Sequence, residues 1–232
     1  MQIHRSVADD GVVTLALDDG AKNALDTEAF RAIDAAYDTC ADASAIVLAG
    51  REGILSAGLN VKVMAQLDQA GLEELLVVFG RTVMRMWLEP RPTVCAATGH
   101  AVAGGTMLAM ACDHAVAAEG AYKWGLTETQ IDFQMPLFGL ALARSNLRTD
   151  RLEDLVLPGA AIDAAAAVEA GYADELAPPD EVVARAQAKA SELAQLPRGA
   201  YAGTKRRLRG TAAQAVLDGL EDDISTLIGA RG

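Results

Sequence analysis

Residues 91–118 read RPTVCAATGHAVAGGTMLAMACDHAVAA. The pair Pro90 and Pro92 stops whatever precedes it, and 93–97 (TVCAA) is a short apolar run of the kind a buried strand uses. Gly99 to Ala103 reads as a loop, 105–111 as a short apolar helix, and 115–118 (AVAA) as another buried strand. Strand, helix and strand within one short span point to parallel pairing, because a crossover helix is what joins parallel neighbours. The glycines do not make a dinucleotide fingerprint. GHAVAGG has them misplaced, and no acid follows a second strand about 20 residues on. Nor does the apolar stretch at 93–112 read as a membrane span, since it holds a Gly-Gly pair, a histidine and threonines.

Outward from this segment the pattern continues. Val12 to Leu17 alternates and ends at Asp18-Asp-Gly20, a strand and a turn. Residues 26–40 are helical in period with Asp26 as N-cap, 45–49 is a buried strand stopped by Gly50, and 72–88 is a long amphipathic helix. After Pro136 nearly everything reads helical: 137–147, 150–156, 163–170, 179–195, and 199–229 with a break near Gly210. The expected class is α/β, a βα core followed by a helical C-terminal region. No internal repeat of fixed period is visible.

Composition narrows the function. Of the 232 residues 51% are hydrophobic but only 4% aromatic, so the core is aliphatic; the net charge of −12 argues against nucleic acid as a partner. Lys205-Arg206-Arg207 with Arg209 is a local basic cluster that reads as the solvated face of a helix, or as a contact for an anion or a subunit. Three cysteines (Cys40, Cys95, Cys112) at unpatterned spacing read as reduced thiols, and the N-terminus lacks the apolar core of a secretory signal, so a cytoplasmic location is expected. The three histidines have no ligand spacing, so no metal is expected. Ser56 lacks the elbow of a serine nucleophile.

Three features carry chemistry. Leu55-Ser-Ala-Gly-Leu-Asn60 follows the strand 45–49, and Ala103-Gly104-Gly105 opens the apolar helix. Two backbone amides from such loops can hold an oxyanion, although each glycine is also explained by a tight turn. The third is Trp124-Gly-Leu-Thr-Glu-Thr-Gln130. There Thr127 and Gln130 have the spacing of a capping box, and Glu128 is either a helix-start acid or a base in an apolar wall.

Together these segments resemble the crotonase, or enoyl-CoA hydratase/isomerase, superfamily. The resemblance rests on residues 91–118, on IVLAGREGILSAGLNV (46–61), on GAKNALD (20–26), and continues through 157–182 to GTKRRL (203–208). It implies a crotonase-like stacked ββα superhelix, with residues 1–176 as core and 177–232 as a helical trimerisation region. The assembly it implies is a homotrimer or a dimer of trimers. The substrate would be an acyl-CoA thioester, with coenzyme A as part of the substrate and no separate cofactor. The backbone amides of Leu59 and Gly104 would form the oxyanion hole, and Lys22, Ala24, Ala57 and Val61 would contact coenzyme A. Met107, Trp124, Leu137 and Phe138 would wall the acyl pocket, with its tail end in 61–90 and 133–142. Hydratases of the superfamily use two glutamates. Here the first position is Met107 and the second is Glu128, and GLTETQ looks like the corresponding segment of single-glutamate isomerases. The expected reaction is therefore isomerisation of 3-enoyl-CoA to 2-trans-enoyl-CoA. Hydration, or another thioester-enolate reaction such as decarboxylation or ring cleavage, with an acid recruited from Asp132 or the 61–75 region, is the alternative, as is acyl-CoA binding without catalysis.

Overall fold

The computed structural model describes residues 1–229. Two sheets organise it. The larger has six strands in the order β1 (Gln2–Val7), β2 (Val12–Asp18), β3 (Ala45–Ala49), β5 (Thr93–Ala97), β7 (His114–Ala118) and β9 (Glu175–Ala177). β1 and β2 form an antiparallel hairpin and the remaining pairs are parallel. The smaller sheet is a parallel set of three, β4 (Gly53–Ser56), β6 (Gly99–Val102) and β8 (Trp124–Gly125). Each of β3, β5 and β7 in the large sheet is followed by β4, β6 or β8 in the small one, then by helix. This is the expected ββα superhelix.

The helices are α1 (Thr27–Asp38), α2 (Val61–Met64), α3 (Gln69–Trp87), α4 (Gly104–Met110), α5 (Leu137–Asn146), α6 (Leu152–Val156), α7 (Ala164–Ala170), α8 (Val182–Ala194), α9 (Arg198–Asp218) and α10 (Leu220–Gly229). Asp26 caps α1 by accepting from the Ala29 N–H at 2.8 Å. The long insertion α2–α3 after β4, against the short α4 after β6, explains why the structural repeat has no period in the sequence.

Strand alternation sorts side chains by size. Ile46, Leu48, Cys95 and Ala97 face the main core with α1, α3, α4 and α5, while Ala45, Val47, Ala49, Val94, Ala96, Val116 and Ala118 face α8. On α8 Val182, Ala186 and Ala190 recur every four residues and are fully buried. Both faces of the parallel sheet are thus covered, as that arrangement requires. The helix α8 belongs to the sheet's own layering as much as to a C-terminal region.

Several expectations change. Residues 99–102 form β6 and not a loop. At four residues, between partners of four and two, it is too short to show alternation. β1 was hidden because five of its six residues are exposed, so no apolar face marks it. The break in the last helical stretch falls at Gly219, while Gly210 lies within α9, where an added Cβ would meet only the Arg206 side chain at 3.5 Å. The basic cluster is not a solvated face throughout. Lys205 is buried, and its ammonium donates to the Asp113 carboxylate (2.6 Å) and to the carbonyls of Glu89 (2.6 Å) and Arg91 (2.8 Å). Arg209 donates to the same carboxylate at 2.7 Å, and Arg206 and Arg207 remain exposed. All three cysteines are buried and unpaired. Among the described residues no helix is long and apolar enough to cross a membrane.

Candidate active site

Two loops meet on one side of α3. The first runs from β4 into α2. Its backbone is tied to the loop before α1: Leu25 N–H donates to Gly58 O (2.9 Å), Asn60 N–H to Leu25 O (2.7 Å), and Ala57 N–H to Lys22 O (3.0 Å). Asn23 sets that earlier loop. It is fully buried in a left-handed conformation (φ 49°), and its amide donates to Leu17 O and Leu55 O. The Asn60 N–H is thus spent on Leu25 and the Gly58 N–H on the Ser56 hydroxyl (3.0 Å), which leaves the Leu59 N–H without an acceptor among the described residues.

The second loop joins β6 to α4. Ala103 takes φ 50°, ψ −118°, a conformation an L-residue adopts only at a cost, and its N–H donates to Gly125 O at 2.7 Å. Gly104 then opens α4, and its amide, in the first helical turn, also lacks an acceptor among the described residues. Gly58 holds the loops together. With φ +84°, it lies so close to the second loop that an added Cβ would sit 2.8 Å from Val102 O and 3.2 Å from Gly104 N.

Glu128 arrives from the small sheet. Beyond β8, residues Glu128–Ile131 form a single 3₁₀ turn ended by Asp132 in the left-handed region (φ 55°). Thr106 of α4 anchors the strand, its hydroxyl donating to Ala101 O (2.6 Å) and accepting from Gly125 N–H (3.2 Å). The Thr127 side chain makes no cap bond, which overturns the capping-box reading: one short turn leaves few amides to cap. Glu128 is 7% exposed, and its Oε2 is buried without a hydrogen-bond partner among the described residues. Burial, opposed weakly by its own amide, pushes its carboxyl up from 4.5 to about 7.

A cavity of about 130 Å³ joins these parts. Of the expected residues, Ala57, Leu59, Val61, Met107, Glu128 and Phe138 line it, and Gly104 adjoins lining Ala103. Lys22 and Ala24 lie on the neighbouring loop, outside the lining. Trp124 is fully buried and Leu137 is 44% exposed; neither reaches the cavity. The Leu137 N–H instead donates to Asp223 of α10, which satisfies the start of α5. Besides Thr127 and Ile131 near the acid, the wall is completed by Met64, Leu76, Phe79, Phe133 and Pro136. The latter fall within 61–90 and 133–142, and the helical spacing of Leu76 and Phe79 was the available signal. Glu128 is the one acid among the described lining residues; Asp132 is exposed and outside, and Glu74 pairs with Arg31. A larger hollow of about 400 Å³ lies beside α9, but its charged groups, Asp113, Lys205 and Arg209, are spent on one another.

The site is therefore a largely apolar chamber with one buried carboxyl raised to about 7 and two unspent amides on adjoining loops. The chain is similar to proteins of one family. The enoyl-CoA hydratase/isomerase family model matches residues 8–227. A probable enoyl-CoA hydratase of Mycobacterium avium is 30% identical over 200 residues, covering 85% of this chain and 77% of that protein. The solved enoyl-CoA isomerase of Mycobacterium tuberculosis is 30% identical, with a TM-score of 0.90 and 97% of each chain covered. Human mitochondrial delta3-delta2-enoyl-CoA isomerase superposes with a TM-score of 0.94 over 99% of this chain and 91% of its own, and at 21% identity that likeness speaks for the fold alone. With the match running almost end to end and the same fold around the site, this chain belongs to the enoyl-CoA hydratase/isomerase family.

Proposed function

We propose that the protein isomerises 3-enoyl-CoA thioesters to their 2-trans isomers. The observation that carries this reading is the single acid in a largely apolar chamber, with Met107 where a hydratase of the superfamily would place a second one. Hydration needs one group to activate water and proton delivery to C2, work that two acids share. Moving the double bond needs one base. The thioester oxygen lies between the amides of Leu59 and Gly104, and the Glu128 carboxylate takes a proton from C2. The electron pair spreads over the dienolate to that oxygen, and Glu128 returns the proton at C4. Substrate and product have the same atoms, so no water and no separate cofactor enter the balance. The coenzyme A portion runs over the loops of Lys22, Ala24, Ala57 and Val61. Assembly as a trimer or dimer of trimers through the C-terminal helices, in the cytoplasm, belongs to the same reading.

Two measurements test it. In deuterated water, 3-hexenoyl-CoA should exchange its C2 protons and give the conjugated thioester, with crotonyl-CoA hydration at least about 100-fold slower. Hydration faster than isomerisation would make the protein a hydratase, in line with the Mycobacterium avium relative's name. Binding with neither exchange nor formation of the conjugated thioester would make it non-catalytic.

The oxyanion contact has its own test. Gly58→Ala puts a Cβ on a residue with positive φ and against Val102 O, forcing the two loops apart. Loss of one oxyanion donor costs roughly 100- to 1,000-fold in turnover. We expect about that loss in kcat with an unchanged circular dichroism spectrum. A wild-type kcat in a folded variant would remove these amides from the mechanism.

A further inference from the structure

We propose that the acyl end of the site selects short chains, about four to six carbons, and rejects long ones; this rests on the acyl-CoA reading above. The cavity has an open side and a closed one. Ala57, Val61 and Ile131 are exposed and form its mouth, where the bulky coenzyme A arm must enter. The opposite end is shut by Phe79 and Phe138, 2% and 0% exposed, whose rings meet edge to face at 4.9 Å. Phe30 stacks behind Phe79 at 4.5 Å, so the wall is two rings deep.

That wall has close neighbours behind it. An added Cβ at Gly80 would come within 2.9 Å of Phe138 and 2.7 Å of Leu220, so α3, α5 and α10 are already in contact behind the ring. On the next side, an added Cβ at Gly139 would lie 2.9 Å from the Met107 methyl and 2.6 Å from the Met135 sulfur. In an interior packed this closely, a deeper cavity requires these side chains to repack together.

The enclosed space sets the chain length. An engineered apolar cavity of about 150 Å³ takes one benzene, six carbons. A cavity of about 130 Å³ accepts a similar or slightly smaller group. Carbons beyond that number have to displace an aromatic ring or double back into water, and in water they gain no burial.

Calorimetric titration with saturated acetyl-, butanoyl-, hexanoyl-, octanoyl- and dodecanoyl-CoA tests this without requiring turnover. Affinity should rise about fourfold per methylene up to hexanoyl, then stay flat or fall through dodecanoyl. Phe138→Leu should move the end of the rise to octanoyl, whereas Met64→Ala, on the short helix α2 that carries the mouth residue Val61, should leave it at hexanoyl. A gain that continues from hexanoyl to dodecanoyl in the wild type overturns the proposal, whatever the variants do. A plateau at hexanoyl without isomerisation of 3-hexenoyl-CoA would leave this inference standing and sink the isomerase reading.

Discussion

Glu128→Gln is expected to inactivate the protein and stabilise it in the same step. A general base contributes roughly 100- to 10,000-fold, and kcat/KM for isomerisation should fall by that factor while acyl-CoA affinity changes little. In the wild type the rate should rise with pH and level off above about 7, because only the ionised carboxyl accepts the C2 proton. The stability effect has the opposite slope. Burial raises this carboxyl from 4.5 to about 7, so between those values the folded chain holds a proton that the unfolded chain has lost. The stability it contributes is complete below 4.5 and is lost as pH rises through about 7. At about 1.36 kcal/mol per pH unit the loss is on the order of 3 kcal/mol. Glutamine cannot ionise, so the variant should exceed wild type in unfolding free energy at pH 8 by an amount of that order and match it near pH 4.5. Denaturant melts at the two pH values check this. Equal stability at both would mean that Glu128 is not held in a dry site, and with it the base assignment fails.

The second large effect lies far from the cavity. Asp113→Ala leaves the Lys205 ammonium buried with carbonyls alone, and also strips a partner from Arg209, from the Tyr201 hydroxyl and from the Thr93 N–H. Breaking a buried ion pair from one side costs about 3–5 kcal/mol. For a chain of this size that corresponds to a drop in Tm of roughly 10 °C. The double replacement Asp113→Leu with Lys205→Met should recover part of it, since the buried ammonium is gone while Arg209, Tyr201 and the Thr93 N–H still lack the carboxylate. None of these residues lines the cavity, so kcat/KM of the folded fraction should hold. A loss under about 1 kcal/mol would show that the cluster is solvated after all.

The strands β3, β5 and β7 and the helices α1, α3 and α4 were legible because each is long enough, or apolar enough, to show its own period between clear stops. Residues 91–118 hold strand, turn and helix in one run, and with them the class of fold. The two glycine loops stood out beside a strand end and a helix start, but a tight turn explains each glycine as well, and only the structure shows the Leu59 and Gly104 amides without acceptors among the described residues. The Thr127–Gln130 spacing misled, because a capping box describes a helix and the chain there makes one 3₁₀ turn. The short strands β4, β6 and β8 carry too few residues to announce themselves and exist only because they pair with each other.

The sequence by itself therefore determined the α/β class, the long helices and the buried strands β2, β3, β5 and β7, the aliphatic core, and Glu128 with the two glycine loops as the segments to inspect. Tertiary structure decided that Lys205 is buried against Asp113, that Trp124 and Leu137 stand outside the cavity, and that Phe79 and Phe138 close it. Period tells which face of a helix is apolar; only the packing of that face against chain dozens of residues away tells whether it meets core, cavity or water.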